Sequence, residues 1–103
     1  MEVSFRENKL RKNCEDGKRF QAVFGGRAQK IAQRLAEFAA AETLEDVARL
    51  PAPRLHLLMG EYAGCFAVDV KQPFRIILCP LNGDKKDCKT ITKIEIVAIK
   101  NYH

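Results

Sequence analysis

Two closely spaced prolines, Pro51 and Pro53, divide the sequence into halves whose apolar residues repeat with different periods. Before them, Ile31, Leu35 and Phe38 recur at spacings of four and three, which is the period of an amphipathic helix. After them, apolar residues recur at every second position, as in a strand with one buried face. Because proline interrupts helices and central strands alike, the chain is expected to change there from helices to a sheet.

The first half predicts one strand followed by helices. The expected order is a strand over residues 2–6, a helix from Asn8 to Gly17, a connection with room for one helical turn up to Gly26, a helix from Arg27 to Glu42 and a short helix after Thr43. In the longest helix the polar side is expected to carry Arg27, Lys30, Gln33 and Arg34.

The second half predicts three strands. Two lie in "CFAVDVKQPFRIILCP", joined by a turn at "KQP", and the third is "TITKIEIVAIK", in which Ile94, Ile96 and Ala98 are expected to share one face. Helices that precede hairpin-linked strands indicate an α+β class, with the N-terminal strand and helices packed on one face of a mostly antiparallel sheet. The other face is then left open.

The composition favours one globular domain over residues 1–103, because 47% of the residues are hydrophobic and 30% are charged. No apolar run approaches the ~20 residues that a membrane span needs. The start, "MEVSFRENKL", lacks the pattern of a secretory signal, so a cytoplasmic protein without a membrane partner is expected. The net charge of +5 suits a partner rich in phosphate or carboxylate.

The four cysteines are not spaced as metal ligands. No pair has CxxC spacing and neither histidine stands near a cysteine pair, so the sequence predicts no metal site and no cofactor. Without a secretory signal, all four are expected to be reduced thiols, with Cys65 and Cys79 as small core residues of the strands.

Candidate chemistry lies in residues that the strands would bring to one edge of the open face. His56 follows the prolines, and Arg75 interrupts an apolar strand, where an unpaired charge is costly. Lys100, Tyr102 and His103 end the last strand. An imidazole near a guanidinium and a phenol suits metal-free cleavage of RNA, in which the 2′-hydroxyl is the nucleophile.

The same residues also fit plainer roles. His56 fits a hydrogen-bonded loop residue, Arg75 a strand residue paired with Asp69, and the last two residues a solvated tail. Taken by themselves, the residues predict a basic α+β domain with a candidate anion site.

Five stretches, in their order and spacing, make the sequence resemble the RelE/ParE superfamily of bacterial toxins, and most of all its HigB-type, or plasmid-maintenance killer, branch. They are "FRENKLRKNCED", "AAETLEDVARLP", "HLLMGEYAGCFAVDV", "PFRIIL" and the terminal "NYH". The resemblance implies a RelE/ParE-like fold and an endoribonuclease that cleaves messenger RNA in the ribosomal A site. It also implies a HigA-like helix-turn-helix antitoxin, through which the complex would contact operator DNA.

Residue by residue, the resemblance implies catalytic roles for His56, Arg75, Tyr102 and His103, and RNA contacts from Lys71, Lys100 and Asn101. Four positions depart from the basic residues common in relatives, namely Met59, Tyr62, Ala67 and Asp69. Through these four departures the site has lost positive charge for holding RNA phosphates. Asn101 stands where the branch commonly has Asp and cannot act as an acid or base. The alternative is a non-enzymatic toxin, either a ParE-like gyrase inhibitor or a toxin that binds only its antitoxin.

Overall fold

A computed structural model describes residues 1–101 and contains helices packed on one face of a five-stranded sheet. The strands are β1 (Glu2–Phe5), β2 (His56–Leu57), β3 (Phe66–Asp69), β4 (Phe74–Pro80) and β5 (Lys93–Asn101). The helices are α1 (Asn8–Glu15), α2 (Gly17–Phe24), α3 (Ala28–Ala40) and α4 (Leu44–Ala48). The predicted α+β class is confirmed. No helix within residues 1–101 is long and apolar enough to cross a membrane.

The sheet has the order β1-β5-β4-β3-β2, so β4 is the central strand. β1 runs parallel to β5, and the other neighbouring pairs are antiparallel. The two-residue strand β2 was not predicted from the sequence, because "HL" is too short to show alternation. It pairs His56 with Ala67 and therefore attaches the segment after the prolines to the edge of the sheet.

The main core lies between α3 and the sheet. Ile31 and Phe38 of α3 are fully buried against strand residues such as Ile76. Arg34 was expected on the polar side of this helix, and that expectation is wrong, because Arg34 is only 2% exposed. The helical period places it between Ile31 and Phe38, and its guanidinium finds polar partners there.

A full helix, α2, replaces the predicted connection of one turn. The Asp16 carboxylate accepts hydrogen bonds from the backbone N–H groups of Lys18 and Arg19, which caps the helix. Phe20 and Phe24, one turn apart, pack edge to face with ring centroids 5.1 Å apart. The cap and the aromatic pair together account for a helix at this position.

A β-bulge in β5 overturns the predicted alternation of the last strand. Leu78 pairs with Ile96 but Ile77 pairs with Ala98, so Val97 is an extra residue. Val97 and Ala98 both pack on the open face, whereas Ile99 returns to the helix side. The prediction that Ala98 shares a face with Ile94 and Ile96 is therefore wrong.

The cysteines also differ from expectation. Cys65, just before β3, and Cys79 of β4 lie opposite each other and are joined by a disulfide, which corrects the prediction that all four are reduced thiols. The hairpin register brings their Cα atoms to 4.2 Å. Cys14 and Cys88 are free thiols of intermediate burial.

Candidate functional site

Three charged residues form a row across the open face of the sheet. Asp69 of β3 pairs with Arg75 of β4, and Arg75 pairs with Lys100 of β5. Their neighbours in the strands, such as Val68 and Ile76, point into the core beneath the helices. Since side chains alternate along a strand, the charged row lies on the face that the helices do not cover.

The bulge places Lys100 in this row. Uninterrupted alternation from Ile94 and Ile96 would have put Lys100 on the helix side. With Val97 inserted, Lys100 pairs with Arg75 instead, and its Nζ donates a hydrogen bond to the Tyr62 hydroxyl at 2.8 Å. The same ammonium lies 5.0 Å from the centroid of the Tyr62 ring.

The Asp69 carboxylate is the centre of the cluster. Arg54 donates to it from Nε at 2.6 Å and from Nη2 at 3.1 Å, and Arg75 donates from Nε at 3.2 Å. The Asp69 and Arg75 side chains are 14% and 17% exposed, whereas that of Arg54 is 54% exposed. The predicted pairing of Arg75 with Asp69 is confirmed, and Asp69 also binds a second arginine, Arg54.

Arg54 is the site residue that sequence reasoning missed. It lies between Pro53 and the edge strand, in a left-handed backbone conformation with φ of 49°. That conformation is unfavourable for a residue with a Cβ and turns the Arg54 side chain towards β3. A basic residue directly after a proline stop was the only signal in the sequence, and it is weak.

His56 is bound to the same segment. Its Nδ1 lies 2.8 Å from the carbonyl oxygen of Arg54. A carbonyl oxygen only accepts hydrogen bonds, so Nδ1 carries the proton and Nε2 of a neutral His56 is the basic nitrogen. His56 therefore has a tautomer that suits a general base, in a segment bound to Arg54 and close enough to Asp69 to affect its pKa.

Hydrogen bonds to both of its backbone polar groups fix the position of Asp69. The Arg34 Nε of α3 donates to the Asp69 carbonyl at 2.8 Å, and the Asp69 N–H donates to the Pro53 carbonyl at 2.7 Å. Arg34 also binds the Glu37 carboxylate. Both backbone groups of Asp69 are thus satisfied within the protein.

Charge keeps Asp69 ionised. Burial acts to raise the pKa of Asp69, but the hydrogen bond and charge of Arg54, with the charges of Arg75 and His56, outweigh burial and hold this pKa below its usual value. The cluster therefore contains a permanent carboxylate at neutral pH.

The remaining predicted site residues do not all join the cluster. Lys71, in the turn between β3 and β4, lines a shallow cleft with Lys30 and Gln33 of α3. Asn101 pairs with Phe74, whose ring contacts Arg27 on the helix side. Tyr102 and His103 lie outside the described residues, so their predicted roles remain predictions. Among residues 1–101, no three His, Cys, Asp or Glu side chains are grouped to hold a metal ion.

The positions at which this chain lacks the basic residues common in relatives have different surroundings. Ala67 is fully buried on the open face, in a small apolar cluster with Leu58 and Ile77. Met59, by contrast, is 84% exposed. Of Ala67 and Asp69, the two such positions on β3, only Asp69 has its side chain in contact with the charged groups of the cluster.

Comparison with known proteins agrees with this fold. The family model described as the RelE-like toxin of the type II toxin-antitoxin system HigB matches residues 3–88 of this chain. The solved structure of the YoeB-YefM complex from Staphylococcus aureus contains a chain that is 16% identical and similar in fold, with a TM-score of 0.58. That alignment covers 100% of this chain and 97% of the other. No curated protein matches the sequence.

Proposed function

The chain belongs to the HigB-like family of RelE-like toxins of type II toxin-antitoxin systems, and on that premise we propose that it is a ribosome-dependent endoribonuclease. The observation that supports this activity is the grouping of Arg54, Arg75 and Lys100 beside His56 on the open face. Fixed positive charge next to a basic imidazole is what metal-free phosphodiester cleavage requires.

In the proposed reaction the 2′-oxygen of the RNA attacks the adjacent phosphorus. The new O2′–P bond forms as the P–O5′ bond breaks, which leaves a 2′,3′-cyclic phosphate and a 5′-hydroxyl end. His56 accepts the 2′-hydroxyl proton at Nε2, and Arg75 and Arg54 stabilise the charge on the phosphorane oxygens. The resemblance implies that His103 is an active-site histidine and that Tyr102 contacts substrate, and we assign to His103 the donation of a proton to the 5′-oxygen.

The test is cleavage of a defined messenger RNA on purified ribosomes, with cut sites mapped by primer extension. We expect cuts with 5′-hydroxyl ends, and a loss of about a hundredfold or more in rate for Arg75→Ala and for His56→Ala. Arg6→Ala is the matched control, because Arg6 is also an arginine paired with a carboxylate, Glu95, but lies directly after β1 at the far side of the sheet. Full activity of Arg75→Ala would exclude the proposed site.

We also propose that the antitoxin is a HigA-like helix-turn-helix protein and that the pair binds operator DNA through it. A type II toxin is neutralised by a protein antitoxin. The exposed side of α3, with Lys30 and Gln33, and the basic open face are the candidate contacts. Co-purification with the product of the adjacent reading frame, and relief of growth arrest by it, tests this proposal.

A non-enzymatic toxin is the second candidate, and one observation favours it. The Asp69 carboxylate neutralises part of the charge of Arg54 and Arg75, which weakens the case for an RNA site. Inhibition of DNA gyrase by the purified protein, with ribosome-bound messenger RNA left intact, would support this alternative.

A further inference from the structure

The centre of the basic cluster is occupied by a group of the protein itself. Three guanidinium N–H groups, two from Arg54 and one from Arg75, point at the two oxygens of Asp69. Arginine binds carboxylates and phosphates with the same forked geometry. The Asp69 carboxylate therefore fills a position in which the same donors would hold two oxygens of a phosphate.

The carboxylate is held there by the backbone. The Asp69 N–H and C=O are both fixed, by Pro53 and by the buried Arg34. The short pairing of β3 with β4 places Asp69 directly opposite Arg75. An anionic ligand can thus displace the carboxylate from the arginines only by rotation of the Asp69 side chain or of the Arg54 side chain, which is the more exposed.

We propose that Asp69 is an internal competitor for the RNA phosphate, one that occupies Arg54 and Arg75 until substrate displaces it. The inference rests on the proposed function and names Asp69 and Arg54 as residues that set affinity for the anionic backbone. His56 and Lys100 are the other charged or titratable groups facing the cluster. Removal of the carboxylate, with both arginines kept, should strengthen binding of a phosphodiester strand.

The experiment is a titration of a fluorescent 2′-O-methyl RNA of about eight nucleotides, which cannot be cleaved because its nucleophile is blocked. We expect Asp69→Asn to bind about tenfold more tightly than wild type at about 0.15 M salt, because one repelling charge is gone and Arg54 and Arg75 no longer bind a carboxylate. Since substrate displaces the carboxylate in wild type, both proteins form the same arginine–phosphate contacts, and the slope of log K against log salt should differ by no more than about 0.7, the value for one phosphate charge.

Two variants serve as controls. Asp69→Glu keeps the negative charge and should bind the strand less tightly than Asp69→Asn. Glu2→Gln removes the same charge and also breaks an ion pair, with Lys93, but lies on β1 at the opposite edge of the sheet. Its effect on affinity should stay below about twofold, since separated surface charges are screened.

A purely structural Asp69, which orients the arginines for substrate, gives the opposite result. In that case Asp69→Asn would bind the strand equally or more weakly, and the inference would be wrong. If Asp69→Asn does not fold, Asp69→Ser also removes the carboxylate and is judged by the same criterion.

The binding and cleavage assays separate the two proposals. Tighter binding by Asp69→Asn with no cleavage by any variant would keep the competitor and reject the nuclease. Cleavage by wild type with no gain in binding for Asp69→Asn would reject the competitor and keep the nuclease.

Discussion

Replacement of Arg34 should lower stability more than replacement of any exposed arginine. Its side chain is 3% exposed, donates to the Asp69 carbonyl at 2.8 Å and binds the Glu37 carboxylate at 3.0 Å. Arg34→Ala leaves a buried carbonyl unpaired, which costs about 1–3 kcal/mol, and removes one partner of a mostly buried ion pair. Because Glu37 is 21% exposed, the ion-pair part is reduced, and we expect a total loss of about 3 kcal/mol.

Urea unfolding followed by far-ultraviolet circular dichroism measures this loss. For a chain of this size, about 3 kcal/mol corresponds to a fall of roughly 12–20 °C in melting temperature. Arg34→Met keeps most of the buried aliphatic volume, so its loss of about 2 kcal/mol isolates the hydrogen bonds. Arg11→Ala is the control, because Arg11 pairs with Glu15 with both side chains about half exposed, and it should cost under about 0.5 kcal/mol.

An Arg34→Met variant within about 0.5 kcal/mol of wild type, with an unchanged dependence on urea, would mean that the guanidinium contributes only packing. The contacts with the Asp69 carbonyl and Glu37 would then contribute nothing net to stability.

Three further predictions concern a buried position, a carboxylate and a thiol. Ala67→Lys, which restores a basic residue of the RelE type, should lower the free energy of unfolding in urea by about 3 kcal/mol, because Ala67 is 0% exposed in an apolar cluster. The arginines hold the pKa of folded Asp69 below the ordinary value of about 3.9, so its contribution to stability is complete above about pH 4 and is lost as the pH falls through the folded pKa. Asp69→Asn should therefore lose less stability than wild type below about pH 4 in acid unfolding. Burial, with the charge of Glu15, raises the pKa of Cys14 to about 11, so iodoacetamide at pH 8 should alkylate Cys14 about a hundredfold more slowly in the folded protein than in urea. Equal rates in the two states would show that the thiol is not perturbed.

The sequence predicted the parts of the fold that depend on local pattern. The change of period at Pro51 and Pro53 separated helices from strands, and the opposite charges of Asp69 and Arg75 across the hairpin predicted their pairing. These features depend on spacing along one segment. Arg34 escaped the same reasoning, because an amphipathic pattern assigns every arginine to the solvent side unless a buried partner is known.

Lys100 was expected at the same edge of the open face as Arg75, but the bulge that puts it there could not be predicted, because it depends on the register between two strands. One extra residue at Val97 reverses the face of every side chain that follows it. Nothing in "KIEIVAIK" marks the bulge, since Val97 and Ala98 are as apolar as the residues they follow. The pairing with β4 places Lys100 beside Arg75.

The proline segment that ends the helical half also completes the site. Pro53 is fully buried, and its carbonyl accepts the N–H of Asp69, so the segment is anchored to the end of β3. The next residue, Arg54, is thereby held with its guanidinium on the Asp69 carboxylate. Two arginines and one carboxylate leave one net positive charge at this point. Ala67 and Asp69 stand on β3 at positions where basic residues are common in relatives. Arg54 partly provides the positive charge that these two residues do not, from a connection whose position the prolines fix.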